Sequence, residues 1–201
     1  MRYLTLFVLL GIFISCKDQQ PLPILGRSYV EDGVTIQHTI PDFSLLNQDS
    51  VYVTNANLEN HLYISDFFFM SCPTICPRVK KQMLRLYDKF EKEDQIKFVS
   101  HSIDGKRDTP SALKLYAKNL GVDTDKWMFL TGNRGDVIDI ADDYFVAAFE
   151  DADAPGGFDH SGKIILVDKN RHVRAFCEGT DPEDVDDFFS DVETLLDEYQ
   201  K

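Results

Sequence analysis

The chain has little basic charge, and this excludes one large class of partners. Lysine and arginine together number 21 against 34 aspartates and glutamates, which leaves a formal net charge of −13 at pH 7. Phosphate backbones would repel such a surface, so we expect no nucleic-acid partner. Much of the acid lies late in the sequence, where it favours a solvated, solubilising face over a docking patch for a basic protein.

The chain also lacks internal repeats, low-complexity tracts and long apolar runs. The first two absences argue against a repeat architecture and against disorder. The apolar run at residues 3–14 is too short to span a bilayer comfortably. With 43% hydrophobic and 27% charged residues, the composition is that of a globular protein. About 185 residues remain beyond the N-terminal segment, which is enough for one domain with a real core.

The N-terminal residues resemble the signal peptide of a bacterial lipoprotein. Arg2 supplies a basic region, residues 3–14 an apolar one, and Cys16 follows a small residue. In such proteins the cysteine becomes the lipidated first residue; the alternative is an uncleaved N-terminal anchor. We therefore expect a signal peptide at residues 1–15, a polar tether at residues 16–27 and a domain at residues 28–201. The domain would be extracytoplasmic, lipid-anchored to a membrane of the bacterial cell envelope, where an oxidising environment permits disulfides.

Hydrophobic periodicity predicts alternating strands and helices. The run "HLYISDFFFM" at residues 61–70 indicates a strand buried on both faces, and residues 77–90 switch to helical spacing. "TIQHTIPDFSLL" and "SVYVT" indicate earlier strands, while Thr109, Pro110 and Gly121 mark the start and end of a second helix. The predicted order, β–β, β–α–β–α–β–α–β–β–α, resembles a thioredoxin-like fold. We expect an α/β domain whose central mixed sheet has helices on both faces, an N-terminal β extension, and a C-terminal β-hairpin followed by a helix.

Two of the four cysteines, Cys72 and Cys76, lie where the buried strand gives way to a helix. Sites in open α/β sheets form at the carboxyl ends of strands, so this position suits chemistry. If the segment is nearly helical, residues four apart share one face, with Cα atoms roughly 6 Å apart. That separation allows either a disulfide or two thiolates that converge on one metal ion.

The surroundings of the cysteine pair favour the thiolate form. The N-terminus of a helix lowers cysteine pKa values, and Arg78, Lys80 and Lys81 act in the same direction. A purely structural bridge would close too short a loop to constrain the unfolded chain much. The spacing in "CPTICP" has one residue more than the C-x-x-C of thiol oxidoreductases. Redox chemistry and metal binding therefore both stay open at this point.

A three-ligand metal site needs one more donor, and the candidates are His38, His61, His101, His160 and His172. His160 stands out because it lies in "GGFDHSGKIILVD", a Gly-rich loop that runs into a strand beside the cysteine loop. A flexible loop would bring its imidazole to two soft sulfurs, a donor set that suits copper. Asp159 either orients the ring or is a solvated loop acid. His101 is expected to be packed or hydrogen-bonded in a strand, and His172 to be exposed at a hairpin turn.

Three motifs, "CPTICP", "SIDGKRDTP" and "DHSGKIILVD", follow one another in this order. They resemble the patterns of the SCO/SenC copper chaperones of cytochrome c oxidase assembly, over residues 40–198. Asp104 matches the aspartate of the middle motif, whereas Gly105 replaces the usual proline and would loosen the turn. Met70 precedes the first cysteine and is expected in the core rather than on copper. Cys177 is extra and is expected to be buried and inert, with a third thiol near the site as the alternative.

The resemblance implies that Cys72, Cys76 and His160 bind copper, as Cu(I) or Cu(II). Asp159 and Asp104 are expected to be supporting groups around them. It also implies a metallochaperone rather than a turnover enzyme. Its copper would go to the CuA site of subunit II of cytochrome c oxidase, or the protein would keep the cysteines of that subunit reduced. Another copper-accepting or dithiol protein is a further possible partner, and we expect a monomer.

The alternative function is an extracytoplasmic thiol–disulfide oxidoreductase in which Cys72 and Cys76 cycle through a redox disulfide. In that case His160 would donate a proton or stabilise a thiolate. The two activities are compatible, because copper insertion requires reduced cysteines in the acceptor. A peroxidase is disfavoured, since "DFFFMSC" lacks the Pro-x-x-x-Thr/Ser-x-x-Cys setting of peroxidatic cysteines.

Overall fold

The computed structural model describes residues 20–200, which form eleven β-strands and four α-helices. The strands are β1 (Tyr29–Glu31), β2 (Val34–Ile36), β3 (Ser44–Asn47), β4 (Tyr52–Thr54), β5 (Leu62–Phe68), β6 (Ile96–Ser102), β7 (Trp127–Thr131), β8 (Ala148–Glu150), β9 (Phe158–His160), β10 (Lys163–Val167) and β11 (Val173–Glu178). The helices are α1 (Cys76–Phe90), α2 (Pro110–Leu120), α3 (Arg134–Ala141) and α4 (Pro182–Gln200).

Seven strands form the central sheet, in the order β11–β10–β5–β6–β7–β3–β4. The strands β5, β6 and β7 run parallel, while the other neighbours pair antiparallel. The predicted mixed sheet is therefore confirmed. Because the three parallel strands end at the same edge, the segments that follow them meet there, and the cysteine pair follows β5.

Helices cover both faces of this sheet, as predicted. Successive side chains of a strand point to opposite faces. On one face of β5, Phe68 stacks on Tyr116 of α2 with ring centroids 5.5 Å apart. On the other face, the hydroxyl of Tyr63 lies 2.9 Å from that of Tyr144, which follows α3. The alternation of β5 thus anchors α2 and the turn that follows α3 to opposite sides of one buried strand.

The ends of α2 follow the sequence signals closely. Thr109 is the N-cap, and its hydroxyl oxygen accepts a hydrogen bond from the backbone N–H of Ala112 at 3.4 Å. Pro110 occupies the first turn, where a missing N–H is harmless. Gly121 ends the helix in the left-handed conformation, with φ at 76°. Both predicted boundaries are confirmed.

The N-terminal extension differs from the prediction. The segment "TIQHTIPDFSLL" is not one strand, since β2 ends at Ile36 and β3 begins at Ser44. Between them the N–H of Ile40 donates to the carbonyl of Arg171, and Pro41, which has no N–H to donate, follows directly. The chain here bonds to the β10–β11 turn instead of continuing a sheet, and among the described residues β2 pairs with β1 alone, in a separate exposed ribbon.

Part of the segment expected to be a tether packs on the domain. Within residues 16–27, Leu22 and Leu25 pack against the core, and the N–H of Leu25 donates to the carbonyl of Val173 at 2.9 Å. The carbonyls of Leu22 and Pro23 accept hydrogen bonds from the buried Arg174 guanidinium. Residues 22–25 therefore belong to the folded domain. The predicted signal peptide and Cys16 lie outside the described residues. None of the helices within residues 20–200 combines the length and apolar character needed to cross a membrane.

Candidate metal centre

The two cysteines lie in the connection from β5 to α1. After β5 the chain turns, and the N–H of Cys72 donates to the carbonyl of Phe69 at 3.2 Å. Cys76 is the first residue of α1, so Cys72 precedes the helix instead of belonging to it. Both side chains are buried, with 8% and 5% of their residue surfaces exposed. Both are free thiols, so the structure describes the reduced pair.

His160 reaches the cysteines from a β-ribbon. The predicted flexible loop is wrong at this position, because His160 ends β9 and pairs with Ala148 of β8. Each of these strands has only three residues, and the Gly-rich connection between them hides the pairing from a sequence pattern. The ribbon fixes the backbone of His160 before any ligand binds.

The structure brings Cys72, Cys76 and His160 together. The Nε2 atom of His160 lies 3.3 Å from the Sγ atom of Cys76. The two sulfurs and one imidazole nitrogen all lie within 4.8 Å of one another. Such separations let all three atoms bind one ion after small side-chain rotations, since metal–sulfur and metal–nitrogen bonds are about 2.0–2.3 Å long.

A hydrogen bond fixes which nitrogen of His160 faces the sulfurs. The Nδ1 atom lies 3.1 Å from the carbonyl oxygen of Ser161, so it carries the proton and leaves the lone pair on Nε2. Burial lowers the pKa of His160, against the opposing effect of the Ser161 carbonyl, so the ring is neutral and able to bind a metal. Asp159 is exposed, and it is the Ser161 carbonyl that orients the ring.

Aromatic packing holds the ribbon against the cysteine loop. The ring of Phe69 contacts the His160 ring edge-on, with centroids 5.6 Å apart. Gly156, in the turn between β8 and β9, has φ at 87°, and a Cβ atom there would lie 2.5 Å from the Phe69 ring. Only a residue without a side chain fits this contact, which places the turn directly on the cysteine loop.

Two aspartates of the middle motif support the site. The sequence had pointed to Asp104 but not to Asp108. Asp104 is buried and accepts a hydrogen bond from Arg107 at 2.9 Å, and Arg107 also donates to the carbonyl of Gly156 at 3.4 Å. Asp104 therefore acts on the ribbon through Arg107, at a distance from the ligands. The carboxylate of Asp108, which was missed, accepts from the N–H of Met70 at 3.0 Å and holds the start of the cysteine loop. Its signal was its place in "RDTP", two residues before a helix.

The two thiols differ in acidity. Burial opposes ionisation of Cys72, but hydrogen bonds from the backbone N–H groups of Cys76 and Thr74 outweigh it, so the pKa of Cys72 is lowered. Burial raises the pKa of Cys76, and the Cys72 sulfur and the Asp66 carboxylate act in the same direction. The expectation that the helix N-terminus lowers both pKa values is therefore wrong for Cys76, the more enclosed thiol.

Two of the cations expected to favour the thiolates are committed elsewhere. The ammonium of Lys80 is buried and bonds to Asp66 at 2.9 Å. Arg78 donates to the carbonyl of Thr180 at 2.7 Å. Each of these two cations is thus bonded to a group other than the thiols, whereas Lys81 is exposed and lines the same cleft as the two cysteines.

The other residues singled out in the sequence lie outside the three-ligand cluster. Met70 is half-buried and packs on the core. Cys177 is buried on β11 opposite Ile164, and burial raises its pKa, in keeping with an inert thiol. His101 is buried in β6 and contacts the hydroxyl of Ser65 at 3.2 Å, as expected. The prediction that His172 is exposed is wrong. Only 16% of its side chain is accessible, and its Nδ1 atom lies 3.3 Å from a carboxylate oxygen of Asp168.

The donor set fits copper. Thiolate sulfur and imidazole nitrogen are ligands that copper favours, and soft thiolates select Cu(I) in particular. The three side chains are buried, and the ring nitrogen that faces the sulfurs bears a lone pair. Two thiols and one neutral imidazole can therefore hold one copper ion after the thiols lose their protons.

Comparison with known proteins finds relatives along most of this chain. A family model described as SCO1/SenC matches residues 32–197. The SCO1 protein homolog of Bacillus subtilis is 29% identical over 171 residues, which cover 84% of this chain and 88% of the relative.

Solved structures give the same result for the fold. The crystal structure of a SCO1/SenC family lipoprotein from Bacillus anthracis has a TM-score of 0.71 and 26% identity, covering 79% of this chain and 95% of that one. BsSco is described as a member of the Sco family of cytochrome c oxidase assembly proteins with a disulfide switch. Its structure has a TM-score of 0.65 and 30% identity, covering 79% of this chain and 93% of that one. ScoI of Arabidopsis thaliana, solved with copper bound, has a TM-score of 0.66 and 27% identity, covering 79% of this chain and 98% of that one. The predicted thioredoxin-like fold is confirmed.

Proposed function

This chain belongs to the SCO1/SenC family, and from that premise we propose that it binds one copper ion and serves the assembly of cytochrome c oxidase. The single observation that carries the proposal is the mutual distance of at most 4.8 Å among the donor atoms of Cys72, Cys76 and His160. Copper bound in the Arabidopsis ScoI structure and the assembly role given for BsSco support it. The recipient we propose is the CuA site of subunit II of cytochrome c oxidase.

Each ligand has a separate part in loading copper. Cys72, with its lowered pKa, supplies the first thiolate. The Cys76 thiol, whose Sγ atom lies 3.3 Å from Nε2 of His160, keeps its proton until the ion binds to that sulfur and the proton leaves to solvent. Copper is the cargo, and it would leave by exchange of these ligands for those of the acceptor.

Metal titration tests the proposal. The reduced protein, titrated anaerobically, should take up about one copper per chain and show a thiolate-to-Cu(II) absorption band. His160→Ala should lose most of this uptake, whereas His61→Ala should retain it, because the half-buried His61 lies outside the three-ligand cluster and its ring contacts the Glu59 carbonyl at 2.8 Å. No uptake by fully reduced wild-type protein would refute the proposal.

A second function, thiol–disulfide reduction, is favoured by the unequal acidity of the two thiols. The Cys72 thiolate would attack a substrate disulfide and release one substrate thiolate, and Cys76 would then attack the Cys72 sulfur of the mixed disulfide. The products are a reduced substrate and a Cys72–Cys76 disulfide, with two electrons transferred. His160→Ala should keep much of this exchange while losing copper. Rapid exchange without copper uptake would make this the principal function.

For the cell we propose a monomer anchored to a membrane of the bacterial envelope through a lipid on Cys16. The N-terminal pattern supports the anchor, and the Bacillus anthracis relative is described as a lipoprotein. Metabolic labelling with a fatty-acid analogue should mark the wild-type chain and not Cys16→Ser. Equal labelling of the two would exclude this anchor. A mass of two chains by light scattering would exclude the monomer.

A further inference from the structure

An ion pair lies buried beneath the candidate copper site. Asp66 of β5 and Lys80 of α1 are joined at 2.9 Å, and their side chains are only 1% and 4% exposed. Removing two charges from water is expensive, and a buried pair is weak evidence for stability, because apolar residues of similar volume often stabilise a core as well or better. The pair therefore calls for an explanation other than stability.

The surroundings fix both charges in place. The ammonium of Lys80 also donates to the hydroxyl of Ser100 at 3.0 Å, and that hydroxyl bonds to Asp66 and accepts from the indole N–H of Trp127 at 2.9 Å. Aromatic rings of Phe68, Trp127 and Phe129 have their centroids within 5.5 Å of the ammonium. Neither charge can reorient toward solvent, so both act on their neighbours in a medium of low dielectric.

The pair is close enough to the ligands to act on their charge. Lys80 lies one helical turn after Cys76, and the two residues line one cleft of about 350 Å³ together with Cys72. Asp66 is bonded to the Lys80 ammonium at 2.9 Å, so both charges of the pair adjoin the cleft that the two sulfurs line.

Copper in its two oxidation states presents different net charges to this pair. The net charge of two thiolates and Cu(I) is −1, whereas the net charge of two thiolates and Cu(II) is zero. A negative charge nearby disfavours the first complex, and a positive charge favours it. We propose that the Lys80–Asp66 pair sets the relative affinity of the site for Cu(I) and Cu(II), as positioning residues that never touch the ion. This inference rests on the proposed copper binding and specifies its oxidation-state preference.

Variants of the two residues should act in opposite directions. Asp66→Asn leaves the ammonium uncompensated and should raise the affinity for Cu(I) relative to Cu(II) about tenfold, which is about 59 mV in the copper potential. Lys80→Met leaves the carboxylate uncompensated and should shift the ratio by a similar factor the other way. Cu(I) affinity is measured by competition with a chromophoric chelator, and Cu(II) affinity by titration of the thiolate absorption band.

A metal-free measurement provides an independent readout. When the Cys72–Cys76 disulfide takes up two electrons and one proton from a glutathione buffer, it becomes one thiolate and one thiol, with a net charge of −1. Asp66→Asn should therefore favour the dithiol, and Lys80→Met the disulfide, each about tenfold or about 30 mV for two electrons. The ratio of the two forms is read by quenched alkylation and mass spectrometry.

Three controls separate charge from structure. Lys80→Arg keeps the charge and should restore the wild-type ratio. Arg85→Met removes a cation from the same helix, but one whose pair with Asp186 is 41% and 60% exposed, and should change neither readout. If Lys80→Met does not fold, as a thermal melt will show, the comparison of Asp66→Asn with the double variant Asp66→Asn, Lys80→Met isolates the ammonium.

The outcomes distinguish this inference from the proposed function. Opposite shifts in the two single variants, with one copper per chain throughout, support the pair as the determinant of oxidation state. Folded variants with unchanged affinity ratio and unchanged dithiol potential overturn the inference and leave copper binding intact. Absence of copper uptake by the wild type would overturn the proposed function and with it the oxidation-state preference.

Discussion

The two ends of the central sheet both gather polar side chains, but they use them differently. Near the start of β5, the Arg174 guanidinium bonds to Asp168 at 3.1 Å and to Glu198 at 2.7 Å, and it also holds the carbonyls of residues 22 and 23. Beyond the end of β5, Cys76 and His160 share one contact that an ion would replace, and the sulfurs of both cysteines keep further lone pairs for it. We call the first the saturated end, because its charged groups bond to one another and hold the chain in place. The second is the unsaturated end, where a metal ion can bind.

The largest effect should come from removing a donor at the unsaturated end. Cys76→Ser replaces a soft sulfur by a hard oxygen, so copper affinity should fall by more than the 10- to 100-fold typical of losing a group that only orients a ligand. Chelator competition measures the loss. Cys177→Ser, at another buried thiol, should retain wild-type affinity. Equal losses in the two variants would contradict the separation of the site from the rest of the core.

At the saturated end the effect should fall on stability. Arg174→Met removes the cation from the buried Asp168 carboxylate and leaves it only the hydrogen bonds of residues 170 and 172, which should lower the free energy of unfolding by about 3–5 kcal/mol. Urea denaturation measures it, and copper stoichiometry should stay the same. The half-exposed Arg85–Asp186 pair is the control, since Arg85→Met should lower the free energy of unfolding by about 0–1 kcal/mol. Loss of copper in Arg174→Met would show that the two ends are not independent.

The contrast between the ends also explains which features the sequence could predict. The buried strand β5 and the caps of α2 follow from local patterns, because apolar runs and capping residues act within a few positions. The docking of residues 22–25 does not, since Leu22 bonds to Glu198, 176 positions away. Patterns within a window cannot report such contacts.

At the candidate site, too, some features could be predicted from the sequence and others could not. The motifs around Cys72, Cys76 and His160 indicated the candidate ligands, whereas the raised pKa of Cys76 depends on burial and on its neighbours, which only the folded chain reveals. Gly105 is a further case. It was expected only to loosen a turn, but a Cβ atom there would overlap the carbonyl oxygen of Gly132. The missing side chain permits a close approach between two loops that the sequence does not relate.

A smaller effect should follow from disturbing the contact that positions His160. Gly156→Ala places a methyl group against the Phe69 ring, so the ribbon must move away from the cysteine loop, and copper affinity should fall 10- to 100-fold. Gly157→Ala is a matched control: its φ of 89° is nearly that of Gly156, at 87°, but no atom lies within 4 Å of its Cβ position. Chelator competition on both variants separates the clash from backbone strain, and equal losses would contradict a positioning role for the Phe69 contact.

The smallest effect distinguishes the two thiols of the unsaturated end from each other. Only thiolates react with iodoacetamide. At a pH below the pKa, each unit by which the pKa is higher lowers the thiolate fraction tenfold. Cys72 should therefore be alkylated at least about tenfold faster than Cys76. The rate at Cys72 should rise with pH and level off below the ordinary cysteine pKa of 9.0, since its own pKa is lowered. Mass spectrometry of quenched samples gives each rate, with the buried Cys177 as a slow internal reference. Faster labelling of Cys76 would reverse the order in which the two sulfurs are proposed to bind copper.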